Sequence, residues 1–356
     1  MQQCIDFSSN DYLSLARSER GMARLRDCLR ASCALGSGGS RLLDGDSLQY
    51  TALESRIAWH FCAQEALLFN SGFDANVSMF SALPQRGDTI VYDALVHASV
   101  HDGMRASRAK ACIAFQHNNP ADLDRVLSSL ASDGNVFLAV ESVYSMDGTV
   151  CALAALLAVV HKHMPQERRC VIVDEAHAVG VYGAKGAGLV ERLGLVKAVD
   201  VRLVTFGKAL GCAGAAVLCT PLLKSYLLNY ARPLIFSTAM PPVALYTIQV
   251  ALDMLDEEGD ERAAQLHALT RQLRSALGAP HHSTLCPAPI LPVHTPTAKS
   301  LARTLQGMGF LVRAVTYPTV PKGTDRVRIC VHTHNTPEEI KRLAEALRAH
   351  SPHAAL

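Results

Sequence analysis

Short runs of β-branched and aliphatic residues alternate along this chain with longer stretches whose apolar positions recur every three or four residues. The first pattern predicts buried strands and the second amphipathic helices. Residues 51–62 form a helical stretch with Leu53, Ile57, Ala58 and Phe61 on one side. Strand signals follow at 66–70, 89–93, 111–115, 136–141, 171–174 and 201–206. Between them lie a helical run ending at Ala82 and others at 122–130 and 153–163. This alternation implies an α/β fold with a mainly parallel sheet covered on both faces. A long helical run, 243–277, leads away, and the proline-bearing segment 287–292 marks a boundary. Signals at 290–293, 298–307, 310–314, 325–331 and 337–349 then read as a small α+β unit, joined in space by the N-terminal residues. The expected division is an N-terminal segment with a glycine-rich loop (1–45), a large domain (46–280) and a small C-terminal domain (281–356).

Composition narrows the function classes. Of 356 residues, 49% are hydrophobic, enough for a sizeable core. The formal charge of +2 gives no case for nucleic acid or an anionic membrane. Eleven cysteines, an odd number, are scattered without a Cys-x-x-Cys pair and read as reduced thiols of a cytoplasmic protein. No apolar run approaches the roughly 18 residues that span a bilayer. There is no repeat and no low-complexity tract, and the Ala- and His-containing tail reads as frayed.

Candidate chemistry gathers at strand ends. Lys208 sits in Thr205-Phe206-Gly207-Lys208-Ala209-Leu210-Gly211, directly after the apolar run 201–206. Burial there disfavours the ammonium form and makes the amine a nucleophile toward carbonyls. The bland alternative is a lysine snorkelling to solvent. Asp174 ends the β-branched run Val171-Ile172-Val173, where open α/β sheets collect ligands. It is either a helix N-cap or the partner of a buried cation. A strand-end aspartate followed by a strand-end lysine fits pyridoxal phosphate (PLP) chemistry, in which a carboxylate pairs with the pyridine nitrogen. Asn70-Ser71-Gly72-Phe73-Asp74 joins a strand to a helix start, so free N–H groups form an anion site. Leu35-Gly36-Ser37-Gly38-Gly39-Ser40-Arg41 is glycine-rich but matches neither a dinucleotide fingerprint nor a Walker loop. His97 and His101 have a metal-ligand spacing, but no third ligand supports it, and no metal is expected. The pairs His161/His163, His281/His282 and His332/His334 read as solvated faces or loops. Ser237 and Thr238 precede Pro241-Pro242 and could cap a helix. Arg328, between Val327 and Ile329, is either a surface strand arginine or one awaiting an anion.

Five blocks together carry a resemblance: Asp6-Phe7-Ser8-Ser9-Asn10-Asp11-Tyr12, Val204-Thr205-Phe206-Gly207-Lys208, Gly214-Ala215-Ala216-Val217, Ser237-Thr238-Ala239-Met240-Pro241-Pro242 and Pro318-Thr319-Val320-Pro321. The chain resembles the α-oxoamine synthases, PLP enzymes of fold type I, over nearly its whole length. The resemblance implies a fold type I transferase whose large domain holds a mainly parallel seven-stranded sheet between helices, and a homodimer. It implies that Lys208 carries PLP and serves as base, and that Asp174 holds the pyridine-nitrogen proton. His97 would stack on the ring and His177 lie at the phenolic oxygen, with Ser145 and Thr205 also at the cofactor. Gly72 and Phe73 would bind the phosphate, with Ser237 and Thr238 reaching it from the neighbouring subunit. Arg328 would grip the amino acid's carboxylate, and Asn10, His97 and Thr319 would meet the substrates. The last two blocks point to the member that condenses L-alanine with a pimeloyl thioester, carried by coenzyme A or by acyl carrier protein.

Three departures stand out. Ser14 occupies a position where relatives have glycine, and Tyr50 one where they have histidine. Relatives carry a few dozen residues before the first block, which can supply an arginine to the acyl chain. Without them, Arg41 or Arg313 is the candidate for a distal carboxylate. Competing readings are a sister synthase using glycine or serine, a transaminase on the same fold, and a non-catalytic partner subunit.

Overall fold

A computed structural model describes residues 4–30, 34–130, 134–279 and 285–351. The first half contains β1 Ile5–Asp6, α1 Glu19–Arg30, α2 Leu48–His60, β2 Glu65–Phe69, α3 Gly72–Ala82, β3 Thr89–Asp93, α4 Ala98–Arg105, β4 Ala111–Phe115, α5 Pro120–Ser128, β5 Val136–Glu141, α6 Leu153–His163 and β6 Arg169–Asp174. Then come α7 Leu189–Arg192, β7 Val201–Thr205, β8 Ala215–Cys219, α8 Pro221–Tyr230, α9 Arg232–Phe236 and α10 Pro242–Ala276. The C-terminal part holds β9 Ile290–His294, α11 Ala298–Gly307, β10 Phe310–Leu311, β11 Arg313–Val315, β12 Arg326–Cys330 and α12 Pro337–His350.

The large sheet has seven strands in the order β2-β8-β7-β6-β5-β3-β4. Every pairing is parallel except the two made by β8. The fold class expected from the alternation is therefore present. Strands β5, β7 and β8 are buried at every position, which is why they read as continuous apolar runs rather than alternating ones. After β3 the chain adds β4 on one side and β5, β6 and β7 on the other. That reversal opens a crevice at the carboxyl ends of the strands, where ligands of open α/β sheets bind. Asp93, Glu141, Asp174 and Thr205 are the last residues of β3, β5, β6 and β7.

A three-stranded antiparallel sheet, β11-β12-β9, makes the small C-terminal layer. The N-terminal residues join it, as expected. β1 pairs with β10, Phe7 O accepts from Cys330 N at 2.9 Å, and Tyr12 O accepts from Thr333 N at 3.0 Å. One expectation fails here: 310–314 is not a single strand. Val312 is fully buried between two short strands, β10 pairing with β1 and β11 with β12. The chain changes sheets at this point, and the change depends on pairing partners remote in sequence. Helix α1, strand β8 and helices α8 and α9 also lay outside the elements singled out from the pattern. The His281/His282 pair lies outside the described residues. Among those described, no helix is long and apolar enough to cross a membrane, and ten cysteines are unpaired.

Candidate active site

The first turn of α3 forms one wall. Ser71 caps this helix by accepting from Asp74 N at 3.0 Å. The N–H groups of Gly72 and Phe73, one turn below any helical acceptor, are left pointing out of the helix start. Gly72 is required by contact: a Cβ there would lie 2.5 Å from Thr205 Cγ2. Thr205 ends β7 with its Oγ1 buried and unpartnered. Two free N–H groups, a helix dipole and an orphaned hydroxyl form a cradle for a phosphate group.

Asp174 defines the other end of the crevice. It is buried, its Oδ1 accepts from Ala176 N at 2.9 Å, and its Oδ2 accepts from Asn76 Nδ2 at 2.8 Å. No helix follows within capping distance, so the N-cap alternative falls. Asn76 also donates to Ser99 Oγ at 3.0 Å, and Ser99 Oγ contacts His97 Nδ1 at 2.8 Å. His97 caps α4 and presents an exposed ring, edge-on to Phe73 with centroids 6.3 Å apart. Glu141 is the neighbour of Asp174 across the parallel ladder β5–β6. Burial, and then the charge of Asp174, push its carboxyl well above the usual range, although Lys208 opposes this.

Lys208 is half-buried in the turn after β7 and makes no side-chain hydrogen bond among the described residues. Burial lowers its ammonium pKa, with Asp174 and Glu141 opposing and Arg328 reinforcing. The snorkelling alternative falls, because the amine is withdrawn from solvent and feels the charges of Asp174, Glu141 and Arg328. His177 is buried: desolvation, then Lys208, Arg328 and His97, hold it well below its ordinary pKa and therefore neutral. Tyr12 OH lies 2.8 Å from His177 Nδ1. The same hydroxyl donates to Asn10 Oδ1 at 3.2 Å. Arg328 donates to Asn10 Oδ1 at 3.1 Å, to Tyr12 OH at 3.5 Å and to the Ser145 carbonyl at 2.6 Å. All three acceptors are neutral, so its charge has no carboxylate partner among the described residues.

The structure thus brings together Asn10, Gly72, Phe73, His97, Asp174, His177, Thr205, Lys208 and Arg328. Ser145 takes part through its carbonyl rather than its hydroxyl. Thr319 is exposed and lines the same cleft as Arg328. Ser237 and Thr238 are exposed, and neither caps a helix start, since α10 is preceded by Pro241 without a side-chain cap. Thr238 instead accepts from Asn70 Nδ2 at 3.0 Å through its carbonyl and bridges to Ser40 of the glycine-rich loop.

Two further readings are corrected. Arg41 is buried, ion-paired to Glu54 at 2.8 Å and Asp46 at 3.1 Å, and lies over the Tyr50 ring. It has no free face for a substrate. His332 is not solvated but fully buried, its ring nitrogens 3.0 Å from Ser9 Oγ and 3.1 Å from the Asp6 carbonyl. Asp6, His332 and His334 do have metal-ligand proximity. However, the Asp6 carboxylate already accepts from Ser8 N, Ser9 N and Arg17, so the group works as a hydrogen-bonded knot. Asn76, Glu141 and Tyr12 were missed as site residues. An asparagine one turn into the apolar stretch of α3 was the available signal for Asn76.

The residues fit PLP by their donor set. The cradle suits a phosphate, Lys208 an aldehyde, and the Asp174 carboxylate a pyridine nitrogen. A family model described as aminotransferase class I and II matches residues 2–347. An 8-amino-7-oxononanoate synthase of Emericella nidulans is 44% identical over 363 aligned positions, covering 96% of this chain and 88% of that protein. A serine palmitoyltransferase of S. paucimobilis, solved with a bound PLP–myriocin compound, superposes with a TM-score of 0.90 at 26% identity, covering 98% of this chain and 87% of that one. The crystal structure of an 8-amino-7-oxononanoate synthase from Francisella tularensis superposes with a TM-score of 0.82 at 27% identity, covering 98% of each chain.

Proposed function

Because the chain belongs to the aminotransferase class I and II family, and within it to the α-oxoamine synthases, we propose that it condenses L-alanine with a pimeloyl thioester. The products are 8-amino-7-oxononanoate, carbon dioxide and the free thiol, a step in assembling biotin. The enzyme is a PLP-dependent acyltransferase. The observation that carries the chemistry is the convergence of Lys208, Asp174 and Arg328 at one end of the sheet.

Bound PLP supplies an electron sink for the pair left at the amino acid's α-carbon. Gly72 and Phe73 N–H groups and Thr205 Oγ1 would hold its phosphate, and the Asp174 carboxylate would hold the proton of its pyridine nitrogen. Asn76 fixes the Asp174 carboxylate through its 2.8 Å bond. Arg328 takes the alanine carboxylate, with Asn10, Tyr12 and Ser145 O orienting its guanidinium. Lys208 Nζ, its pKa lowered, would remove the α-proton, and His97 and neutral His177 would help to hold the cofactor. A proton transfer of this kind contributes roughly 10²–10⁴-fold.

A homodimer accords with the exposed apolar side chains of Leu43, Leu48 and Phe236. They flank the region where the glycine-rich loop meets the Ser237-Thr238 loop. The second reading, a sister synthase acting on serine or glycine, is favoured by the superposition on serine palmitoyltransferase. Release of free thiol, measured with alanine, glycine and serine against pimeloyl, acetyl and palmitoyl thioesters, separates the two. Turnover is expected with alanine and pimeloyl, on coenzyme A or on carrier protein. Turnover with serine and palmitoyl alone would replace this reading by the second.

A further inference from the structure

Resting on the reading above, the geometry points to Arg313 as the residue that binds a terminal carboxylate on the acyl substrate. It would thereby set the preference for a dicarboxylic acyl chain over a monocarboxylic one. Arg313 begins β11, the edge strand of the small sheet, and its direct partner across the antiparallel ladder is Arg328. Directly opposed residues place their side chains on the same face, with Cβ atoms about 5 Å apart, and like charges so placed repel. A sequence free to avoid that repulsion would put a neutral or acidic residue at one of the two positions.

Both arginines line one cleft of about 390 Å³, together with Ser8, Met146, Thr316 and Thr319. Among the described residues, no aspartate or glutamate lines it. Arg328 spends its donors on neutral oxygens, as described above. Arg313 is exposed and makes no hydrogen bond or ion pair among the described residues. Neighbouring Arg326 contrasts with it, being buried and bonded to the carbonyls of Thr324 and Met146. Arg41, the other candidate from the sequence, is buried and ion-paired to Glu54 and Asp46. The cleft therefore presents hydroxyl donors and two guanidinium groups that no carboxylate among the described residues compensates. Arg328 takes the amino acid's carboxylate. The second positive charge calls for a second anion on the other substrate, and an arginine fork is shaped for a carboxylate.

The test compares pimeloyl-CoA with heptanoyl-CoA, in which a methyl group replaces the terminal carboxylate, in the wild-type holoenzyme and in Arg313→Gln and Arg313→Lys. In Arg313→Gln the pimeloyl-to-heptanoyl ratio of kcat/KM is expected to fall about tenfold or more, mainly through KM. Arg313→Lys is expected to fall between, and the alanine dissociation constant to move less than twofold. The melting temperature should hold or rise, since a like-charge pair is removed. An unchanged ratio, or an equal loss with both thioesters, would overturn the assignment, the latter pointing to the phosphates of the carrier.

Inhibition by free pimelate against free heptanoate tests Arg313 whatever thioester the enzyme uses. Pimelate is expected to bind about tenfold more weakly to Arg313→Gln, with heptanoate unaffected. Equal inhibition by the two acids in the wild type would overturn the assignment. A wild type that ignores pimeloyl-CoA but still prefers pimelate would contradict only the substrate reading.

Discussion

Lys208 is held where its charged form is poorly solvated, yet two carboxylates stand close enough to oppose that penalty. The balance leaves an amine whose proton is more easily lost than usual. Lys208→Ala is expected to abolish the visible absorption of the PLP-loaded protein and to lower turnover by at least ~10²-fold; an unaltered spectrum would remove its role. Asp174→Asn is expected to bind PLP but not to exchange the α-proton of alanine with deuterated water, read by proton NMR. Normal exchange would show that the pyridine nitrogen needs no carboxylate. At this scale the sequence was informative where chemistry sits at strand ends, as with Lys208 and Asp174. It was silent where a role depends on a neighbour across the sheet. Glu141 reads as the last residue of a strand until its ladder partner is seen to be Asp174. Ser14 shows the same limit. Its φ of 58° is the left-handed conformation that glycine adopts freely. Here bonds from Ser14 Oγ to His334 Nδ1 at 2.7 Å and from Thr333 Oγ1 at 3.0 Å offset the strain.

The elements that carry the site are those whose local signals agree with their burial. Strands β5 to β7 appear as unbroken apolar runs because helices cover both sheet faces, and so they were read within two residues of their ends. Short strands were misread, since β10 and β11 have two and three residues and are defined only by partners. Another such tie joins His334, in the turn that follows β12, to Ser14 of the N-terminal segment. His334 is drawn down to about 4 by burial, by His332 and by Arg17. Between that value and the ordinary 6.5 the folded state binds fewer protons than the unfolded one. Stability from this group is therefore complete above 6.5 and is lost as pH falls toward 4. Melting temperature is expected to decline across that window in the wild type, and less steeply in His334→Asn. Parallel slopes would show that the Ser14–His334 tie does not titrate.

On the scale of the whole molecule, the switch in strand order gathers residues from four strand ends, and the small sheet brings Arg328 over them. The sheet class was legible from alternation. The way residues 5–12 lace the small sheet to the crevice was not, because its partners are some 320 residues away, as in the 323-residue separation of Ser9 and His332. If Ser237 and Thr238 serve the neighbouring subunit, activity requires a dimer. Light scattering is expected to give twice the chain mass at all concentrations that show turnover, and a fully active monomer would refute it. The central claim is that this crevice performs a decarboxylative condensation. It is tested most directly with L-alanine labelled by carbon-13 at the carboxylate, pimeloyl-CoA and the PLP-loaded enzyme. The expected result is labelled carbon dioxide and free thiol in equal amounts, with unlabelled 8-amino-7-oxononanoate. Labelled pyruvate, formed without thiol release, would contradict it and make the enzyme a transaminase.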